Sequence, residues 1–131
     1  MIDDGKPIFL QIAEQIENEI IDGSLAEESQ VPSTNEFAAF HRINPATAGK
    51  GVNLLVDAGI LYKKRGIGMF VAAGARARLI EGRRTQFVDD YVRPLLIEAE
   101  KLGIDPATLT GLITDASAEA SVHDIARTAT S

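Results

Sequence analysis

The residues of this sequence best suited to chemistry are basic side chains grouped in one short stretch. Positions 41–65 carry a single carboxylate, Asp57, and five cations: Arg42, Lys50, Lys63, Lys64 and Arg65. The first 40 residues show the reverse, with Lys6 as their one cation against nine carboxylates. Because a local basic patch can bind phosphates on a protein whose net charge is −6, these residues permit nucleic-acid binding without establishing it.

Groups that could support catalysis or hold a metal ion are scattered along the chain. Cysteine is absent from the sequence, which excludes disulfides, thiol catalysis and zinc–cysteine sites. The two histidines, His41 and His123, belong to no cluster with metal-ligand spacing. Asp89 and Asp90 are adjacent and would point about 100° apart on a helix, and Ser33 is better explained as a helix cap. We therefore expect no enzyme activity, no metal and no cofactor.

The stretch INPATAGKG, residues 43–51, predicts the start of a helix that two glycines then weaken. Asn44 and Pro45 fit the N-cap and the first turn, whereas each glycine costs roughly 1 kcal/mol relative to alanine inside a helix. Gly51 lies toward the core side, where it could allow close packing against the first helix. Gly49 lies near the solvent side, where its backbone could approach a phosphate or a base edge. The alternative is that both glycines are merely tolerated.

If this helix enters a DNA major groove, the residues of its first two turns have distinct uses. Its free amides and positive dipole end suit a phosphate. Ala46 and the Thr47 methyl group could contact thymine methyl groups. Asn44 and the Thr47 hydroxyl could form hydrogen bonds with bases or backbone, and Lys50 would bring a cation to phosphate or guanine.

The elements that must position these residues follow the order of a winged helix-turn-helix, a mainly α-helical fold with a small β-hairpin. Periodic apolar residues predict a first helix over 7–23, and the capping box STNE opens a second helix over 33–41. The third helix is predicted over 45–58. Two short strands, 60–64 and 69–73, flank the turn RGIG, whose basic tip favours a wing over a nucleotide-binding loop.

Beyond residue 73 the sequence predicts helices that could pair two copies of the chain. Residues 74–84, GARARLIEGRR, are expected to form a basic linker or the frayed start of a helix. A helix over 84–102 would be kinked or broken at Pro94, and a short helix would follow over 105–113. Their apolar stripe predicts a dimer interface of Phe87, Val88, Tyr91, Leu95, Ala99, Leu102, Leu109 and Leu112. A minor alternative assigns Phe87 and Tyr91 to a small effector pocket.

Three stretches together resemble the GntR family of bacterial winged-helix regulators, and specifically its small YtrA-type branch. These stretches, within residues 6–71, are KPIFLQIAEQIENEIIDGSL, VPSTNEFAAF and INPATAGKGVNLLVDAGILYKKRGIGMFV. The resemblance implies a DNA-binding winged helix, followed by a short C-terminal segment that is helical and dimerising rather than a full effector domain. Residues 75–131 are too few for a well-cored ligand domain, which agrees with that branch.

The sequence departs from the family pattern at four positions of its DNA-binding motifs. Asn35 stands where the second-helix motif usually has an arginine that grips DNA, and Ala46 stands where the branch often has asparagine. Lys50 takes a usual arginine place, and Gly51 takes a usual alanine place. We therefore expect specificity to depend more on the wing and on DNA shape than on strong base contacts.

These observations predict a transcriptional regulator, most simply a repressor, that binds a pseudo-palindromic DNA operator as a homodimer with half-sites about one helical turn apart. The acidic start MIDDGKPIFLQ and the lack of a long apolar run favour a cytoplasmic protein without a membrane partner. A small-molecule effector is left open. The alternative function is a winged-helix adaptor that binds proteins instead of DNA.

The predicted organisation has three parts. Residues 1–73 form the winged helix-turn-helix, 74–114 form the helical dimerisation region, and 115–131 form a tail of uncertain order. The predicted DNA-binding residues come from the second helix, the third helix and the wing: Ser33, Thr34, Asn35, Arg42, Asn44, Pro45, Ala46, Thr47, Gly49, Lys50, Lys63, Lys64, Arg65, Gly66 and Gly68.

Overall fold

The computed structural model describes the backbone from Gly5 to Thr130 and the side chains from Gly5 to Ala120. The contacts divide the chain into two compact units, with the boundary after Arg84. The first unit contains the predicted winged helix-turn-helix, and the second contains the C-terminal helices.

The first helix, α1, spans Ile8–Asp22 and has the amphipathic character that its periodicity predicts. It ends at Gly23, whose φ of 90° lets its amide donate a hydrogen bond to the Ile20 carbonyl. The face directed into the core consists of Ile12, Ala13, Ile16 and Ile20. This face packs against the third helix, and the third helix in turn packs against the second, within one hydrophobic core.

The second and third helices begin at the capped positions predicted from the sequence. α2 spans Thr34–His41, and the Ser33 hydroxyl accepts a first-turn amide at 3.1 Å. α3 spans Pro45–Asp57, and Asn44 Oδ1 accepts the Ala46 amide at 2.8 Å. Because these bonds satisfy amides that a helix start leaves without partners, they fix where both helices begin.

A three-stranded antiparallel sheet takes the place of the two-stranded hairpin expected from the sequence. Its strands are β1 Gln30–Val31, β2 Leu61–Lys64 and β3 Gly68–Val71, in the order β1-β3-β2. β1 has only two residues, which is too short for an alternating pattern to reveal it. Val31 and Val71 are buried against the helices, so the sheet closes one side of the core.

The stretch expected to be a linker or a frayed helix start is an ordered helix, α4, spanning Ala75–Phe87. Ala75 and Leu79 are buried in the same core as α1–α3. Arg76 and Arg78 donate hydrogen bonds of 2.9 and 2.6 Å to carbonyl groups at the end of α1 and just after α3. The first turns of α4 therefore pack with the winged helix. The boundaries at 73 and 114 between the predicted functional parts of the chain stay predictions.

The predicted disruption at Pro94 takes the form of a widened helical turn. A π-helical turn, Val88–Val92, follows α4, and α5 then spans Arg93–Lys101. The Arg93 amide donates to the carbonyl of Val88, five residues earlier. A proline ring clashes with the carbonyl four residues before it in an α-helix, so the wider turn accommodates Pro94 while the chain stays helical.

The last helix, α6, spans Pro106–Thr130, so the prediction of a short helix ending near residue 113 is wrong. Asp105 caps it by accepting a first-turn amide at 2.8 Å. The hydroxyls of Thr110 and Thr114 donate to carbonyls four residues earlier at 2.9 and 3.0 Å. These hydrogen bonds and the alanines that follow favour a helix in the tail, whose order the sequence left open. Among the described residues, none of the helices combines the length and apolar character needed to cross a membrane.

Candidate nucleic-acid interface

A surface groove lies between the start of α2 and the wing, the hairpin formed by β2 and β3. Its volume is about 360 Å³, and its lining residues, which define what we call the wing groove, are Ser33, Thr34, Lys63, Lys64, Arg65, Gly66, Ile67, Gly68 and Met69. The structure therefore brings all five predicted wing residues together with two predicted residues of α2. The lining contains three exposed cations and no carboxylate, so the groove favours an anionic partner.

The tip of the wing is a tight turn that requires glycine at two positions. The Ile67 amide donates to the Lys64 carbonyl at 2.9 Å. Gly66 and Gly68 have φ values of 78° and 145°, which side-chain-bearing residues rarely adopt. A Cβ atom at Gly68 would lie 2.5 Å from Nε2 of Gln30, and that nitrogen donates to the Ile67 carbonyl at 3.1 Å. Gln30 thus braces the tip from β1, a role that the sequence analysis missed because β1 itself was not predicted.

The two adjacent lysines of the wing point to opposite faces of the sheet. Lys63 pairs with Met69 on the face that continues into the core. Lys64 is on the other face, with its Nζ 4.5 Å from the ring centroid of Phe70 and 5.9 Å from that of Tyr62. A cation over an exposed aromatic ring gains about 0.5–1 kcal/mol, so this contact helps to orient Lys64.

The outer face of the wing is tied to the loop that precedes β1. The rings of Tyr62 and Phe70 stack with centroids 5.9 Å apart. The Tyr62 hydroxyl donates a hydrogen bond of 2.5 Å to the Glu28 carboxylate, and this bond raises the pKa of the Tyr62 phenol. The Glu28 amide also donates to the Val71 carbonyl at 2.8 Å, so one residue holds both strands of the wing.

The start of α2 presents groups suited to phosphate. Ser33 is exposed, and because its Oγ already accepts an amide, the hydroxyl hydrogen is the group that it can offer. Thr34 is half-buried, and Asn35 is exposed. The helix dipole adds a partial positive charge at this end, which favours a nearby anion.

The start of α3 exposes most of its predicted DNA-binding residues outside the wing groove. Those exposed are Asn44, Pro45, Ala46 and Lys50, and Thr47 is half-buried. Asn44 uses its Oδ1 for the cap, so the nitrogen of its amide is the group available to a partner. The Lys50 Nζ lies 4.0 Å above the ring of Phe9 in α1, an orienting contact that the sequence did not indicate.

The two glycines of α3 have different surroundings. A Cβ atom at Gly51 would lie 2.6 Å from the Phe9 carbonyl oxygen and 3.1 Å from Ile12, so close packing against α1 requires glycine there, as predicted. Gly49 is half-buried, and a Cβ atom there would lie 3.5 Å from the Thr34 methyl group, an ordinary contact. The packing inside the protein therefore gives no reason for glycine at position 49.

Arg42, also predicted to bind DNA, ends α2 in the left-handed conformation with φ of 56°. Its side chain is exposed, and its backbone amide donates to carbonyls of the last turn of α2. A residue with a Cβ atom costs roughly 1–2 kcal/mol in this conformation. Arg42 does not line the wing groove.

Comparison with known proteins shows where this combination of elements occurs. A model of a protein family described as bacterial regulatory proteins, gntR family, matches residues 9–71, which run from α1 to the end of β3. The crystal structure of a GntR-family regulator from Bacteroides thetaiotaomicron is 33% identical over 86% of this chain and 97% of that chain, with a TM-score of 0.67. This chain belongs to the GntR family.

Two further relatives match different shares of this GntR-family chain. The HTH-type transcriptional repressor YtrA of Bacillus subtilis is 29% identical over 113 residues, which are 86% of each protein. The DNA-binding domain of AraR, solved in complex with an operator, is 29% identical over 54% of this chain and 87% of that chain, with a TM-score of 0.50. The similarity to YtrA therefore continues beyond the wing into the C-terminal helices.

The second unit of this GntR-family chain exposes many of its large apolar side chains. Six residues of the predicted dimer interface are exposed: Phe87, Val88, Tyr91, Leu95, Leu102 and Leu112. The other two, Ala99 and Leu109, are only 5% and 9% exposed. Both are buried within the chain, so they are not part of the exposed surface that a second copy could contact. Three exposed apolar residues that the prediction omitted are Leu96, Ile97 and Ile113.

Proposed function

We propose that this chain is a sequence-specific DNA-binding transcriptional regulator that acts as a repressor on a pseudo-palindromic operator. The observation that carries the proposal is the position of Thr34. Thr34 lines the wing groove, and its methyl group lies 3.5 Å from the Cβ position of Gly49 in α3. The start of α2, the second turn of α3 and the basic wing thus adjoin, and these are the groups with which proteins position themselves on DNA phosphates.

In this proposal α3 lies in the major groove and the wing contacts the neighbouring backbone or minor groove. Ala46 and Thr47 face thymine methyl groups, and Lys50 faces phosphate or guanine. Asn44 donates from its amide nitrogen because the cap occupies its oxygen. With Asn35 in place of the arginine of the family motif, DNA shape and the wing supply more of the specificity.

A homodimer is the form in which the proposed regulator acts. The exposed apolar residues of the second unit support it, because contiguous apolar surface marks interaction sites. Two copies of α3 related by a twofold axis would read half-sites about 34–36 Å apart. We infer the repressor role from YtrA, which is named as a transcriptional repressor. An operator-binding protein would act in the cytoplasm, where the DNA is. A small-molecule effector would act on this DNA affinity.

The test is the salt dependence of DNA binding. An operator is first recovered by selecting genomic fragments with the purified chain, and fluorescence anisotropy then measures its affinity across salt concentrations. Changing Lys50 and Lys64 to alanine together should weaken binding and reduce the slope of log affinity against log salt by about 2, since each phosphate contact contributes about 0.9.

The control is Lys101→Ala, which removes one lysine charge at the exposed end of α5, outside the proposed DNA-binding surface. It should leave both affinity and salt slope unchanged. If the selection recovers no fragment, the DNA-binding proposal is wrong. If the control alters the slope as much as the double variant, the assignment of Lys50 and Lys64 to DNA contacts is wrong. A protein–protein adaptor would give the first of these results.

A further inference from the structure

A second cavity lies between α1 and α2, away from the wing groove, and shares no residue with it. Its volume is about 310 Å³, within the lower range of small-molecule sites. Its apolar lining includes Ile16 of α1, Val31 of β1 and Val52 of α3, all buried residues of the core. We call this cavity the α1–α2 groove.

Aromatic rings form one side of the α1–α2 groove. Phe40 is 82% exposed, the largest exposed fraction among the large apolar side chains described. Its ring meets the His41 ring edge-on at 4.9 Å between centroids, and the Phe37 ring lies 4.3 Å from that of His41. Gln15 Nε2 lies 3.3 Å from His41 Nε2, so α1 holds the imidazole in place. Phe37 is buried in the core, so Phe40 is the ring of this side that packing inside the chain leaves exposed.

The charges along the α1–α2 groove have one sign. Glu19 and Glu36 line it, and its lining contains neither lysine nor arginine. This distribution is opposite to that of the wing groove, so an anion such as DNA is disfavoured here. Aromatic faces and carboxylates around an apolar floor are the features that recognise organic ammonium groups.

We propose that the α1–α2 groove binds a small organic cation with an apolar body. The apolar body lies on Ile16, Val31 and Val52, and the cationic group lies between the ring of Phe40 and the carboxylate of Glu19. Val52 belongs to α3, the helix assigned to the major groove, so a ligand here contacts the buried face of that helix. We also infer that this groove is an effector site, where a bound ligand alters operator affinity. This inference rests on the proposed function.

The binding test uses isothermal titration calorimetry on the full chain with three probes that share one apolar body. The probes are phenylpropyl-trimethylammonium, uncharged phenylpropanol and phenylpropanoate. The cation should bind at one site per chain, at least about tenfold more tightly than the alcohol, and the carboxylate should bind most weakly. Equal affinities for the three probes, or no binding of the cation, would overturn the proposal.

Variants locate the binding site within the chain. Phe40→Ala and Glu19→Gln should each weaken binding of the cation by at least about fivefold. Glu98→Gln, an exposed carboxylate on α5 that is outside the groove, should leave binding unchanged. Equal weakening in all three variants would overturn the assignment. So would a shift from dimer to monomer in the sedimentation of Phe40→Ala, because a second copy would then cover the groove.

The effector role is tested separately from DNA binding itself. Saturating phenylpropyl-trimethylammonium should lower the operator affinity of the native chain by at least about fivefold, and Phe40→Ala should raise the concentration needed for half of this effect by at least about fivefold. Calorimetric binding without a change in operator affinity would overturn the effector role. If the chain binds no DNA, the proposed function fails while the calorimetric result still decides whether the groove binds cations.

Discussion

Gly49 and Gly51 are two positions apart on α3, and their neighbours explain them differently. The carbonyl of Phe9 occupies the space that a methyl group at Gly51 would need, so this glycine serves packing between α1 and α3. At Gly49 the nearest atom, the Thr34 methyl group, leaves room for a Cβ atom. A helix weakened without benefit to packing is consistent with a surface that DNA approaches closely.

Alanine at each position separates these two roles. Gly51→Ala should destabilise the fold by about 1–2 kcal/mol, because overpacking against backbone exceeds the gain in helix propensity. Gly49→Ala should stabilise the fold by up to about 1 kcal/mol and weaken operator binding. Urea unfolding and fluorescence anisotropy measure the two effects. If Gly49→Ala left operator affinity unchanged, the close approach at this position would be rejected.

At the scale of single elements, the sequence predicted the helices whose start depends on a few neighbouring residues. The caps at Ser33 and Asn44 were predictable because an N-cap needs one side-chain oxygen and a nearby amide. β1 was not predictable, since its pairing with β3 depends on residues almost forty positions away. Residues 74–84 were predicted as a basic linker or the frayed start of a helix, whereas in α4 Arg76 and Arg78 donate to backbone carbonyls of distant residues, which a local pattern does not reveal.

The length of α6 is a second feature that the local sequence pattern did not reveal. Threonine and serine favour turns over helices when no context is given, and the tail is rich in both. In the structure, Thr110 and Thr114 direct their hydroxyls back to the helix, so they do not interrupt it. The candidate DNA-binding residues were identified by type and spacing, but the grouping of seven of them at the wing groove needed the fold.

The cap of α6 gives a pH-dependent prediction. The Thr108 amide donates to the Asp105 carboxylate and holds its pKa below the ordinary value, so the cap is present at neutral pH. As pH falls through this lowered pKa, the carboxylate is protonated and the contribution of the cap to helix stability is lost. Asp105→Asn should match the native chain at pH 7 and retain more helix at pH 2.5, measured by circular dichroism.

Asp105→Ala provides the control for this prediction, because alanine cannot accept the amide at any pH. It should show reduced helicity at pH 7 and no further loss attributable to the cap on acidification. An asparagine variant that loses helix in parallel with the native chain would show that protonation of Asp105 has no part in the acid response.

At the scale of the whole molecule, the proposed DNA-binding surface belongs to the first unit and the proposed dimer interface to the second. Ala75 and Leu79 complete the core of the first unit, so a cut after residue 73 would damage it, whereas a cut after Arg84 follows the boundary between units. The second unit keeps its largest apolar side chains on its surface. A second copy of the chain is the partner that we propose for them.

A charged substitution within the full chain tests this pairing. Leu95→Asp places a carboxylate among the exposed apolar residues of the second unit and should convert the dimer to a monomer in sedimentation velocity. Operator affinity should fall with it, because one half-site no longer supports the other. Ile67→Asp, an equally drastic change on the exposed wing tip, should leave the dimer intact. A Leu95→Asp protein that still sediments as a dimer would reject the second unit as the interface.

The most direct test of the central claim is a map of backbone amide chemical shifts on adding an operator duplex to the full chain. The claim is that the starts of α2 and α3 and the wing form one DNA-binding face. It predicts the largest shifts at residues 33–35, 44–50 and 63–68, with small shifts around Phe40. Large shifts confined to the α1–α2 groove or to the second unit, with those three stretches unchanged, would contradict it.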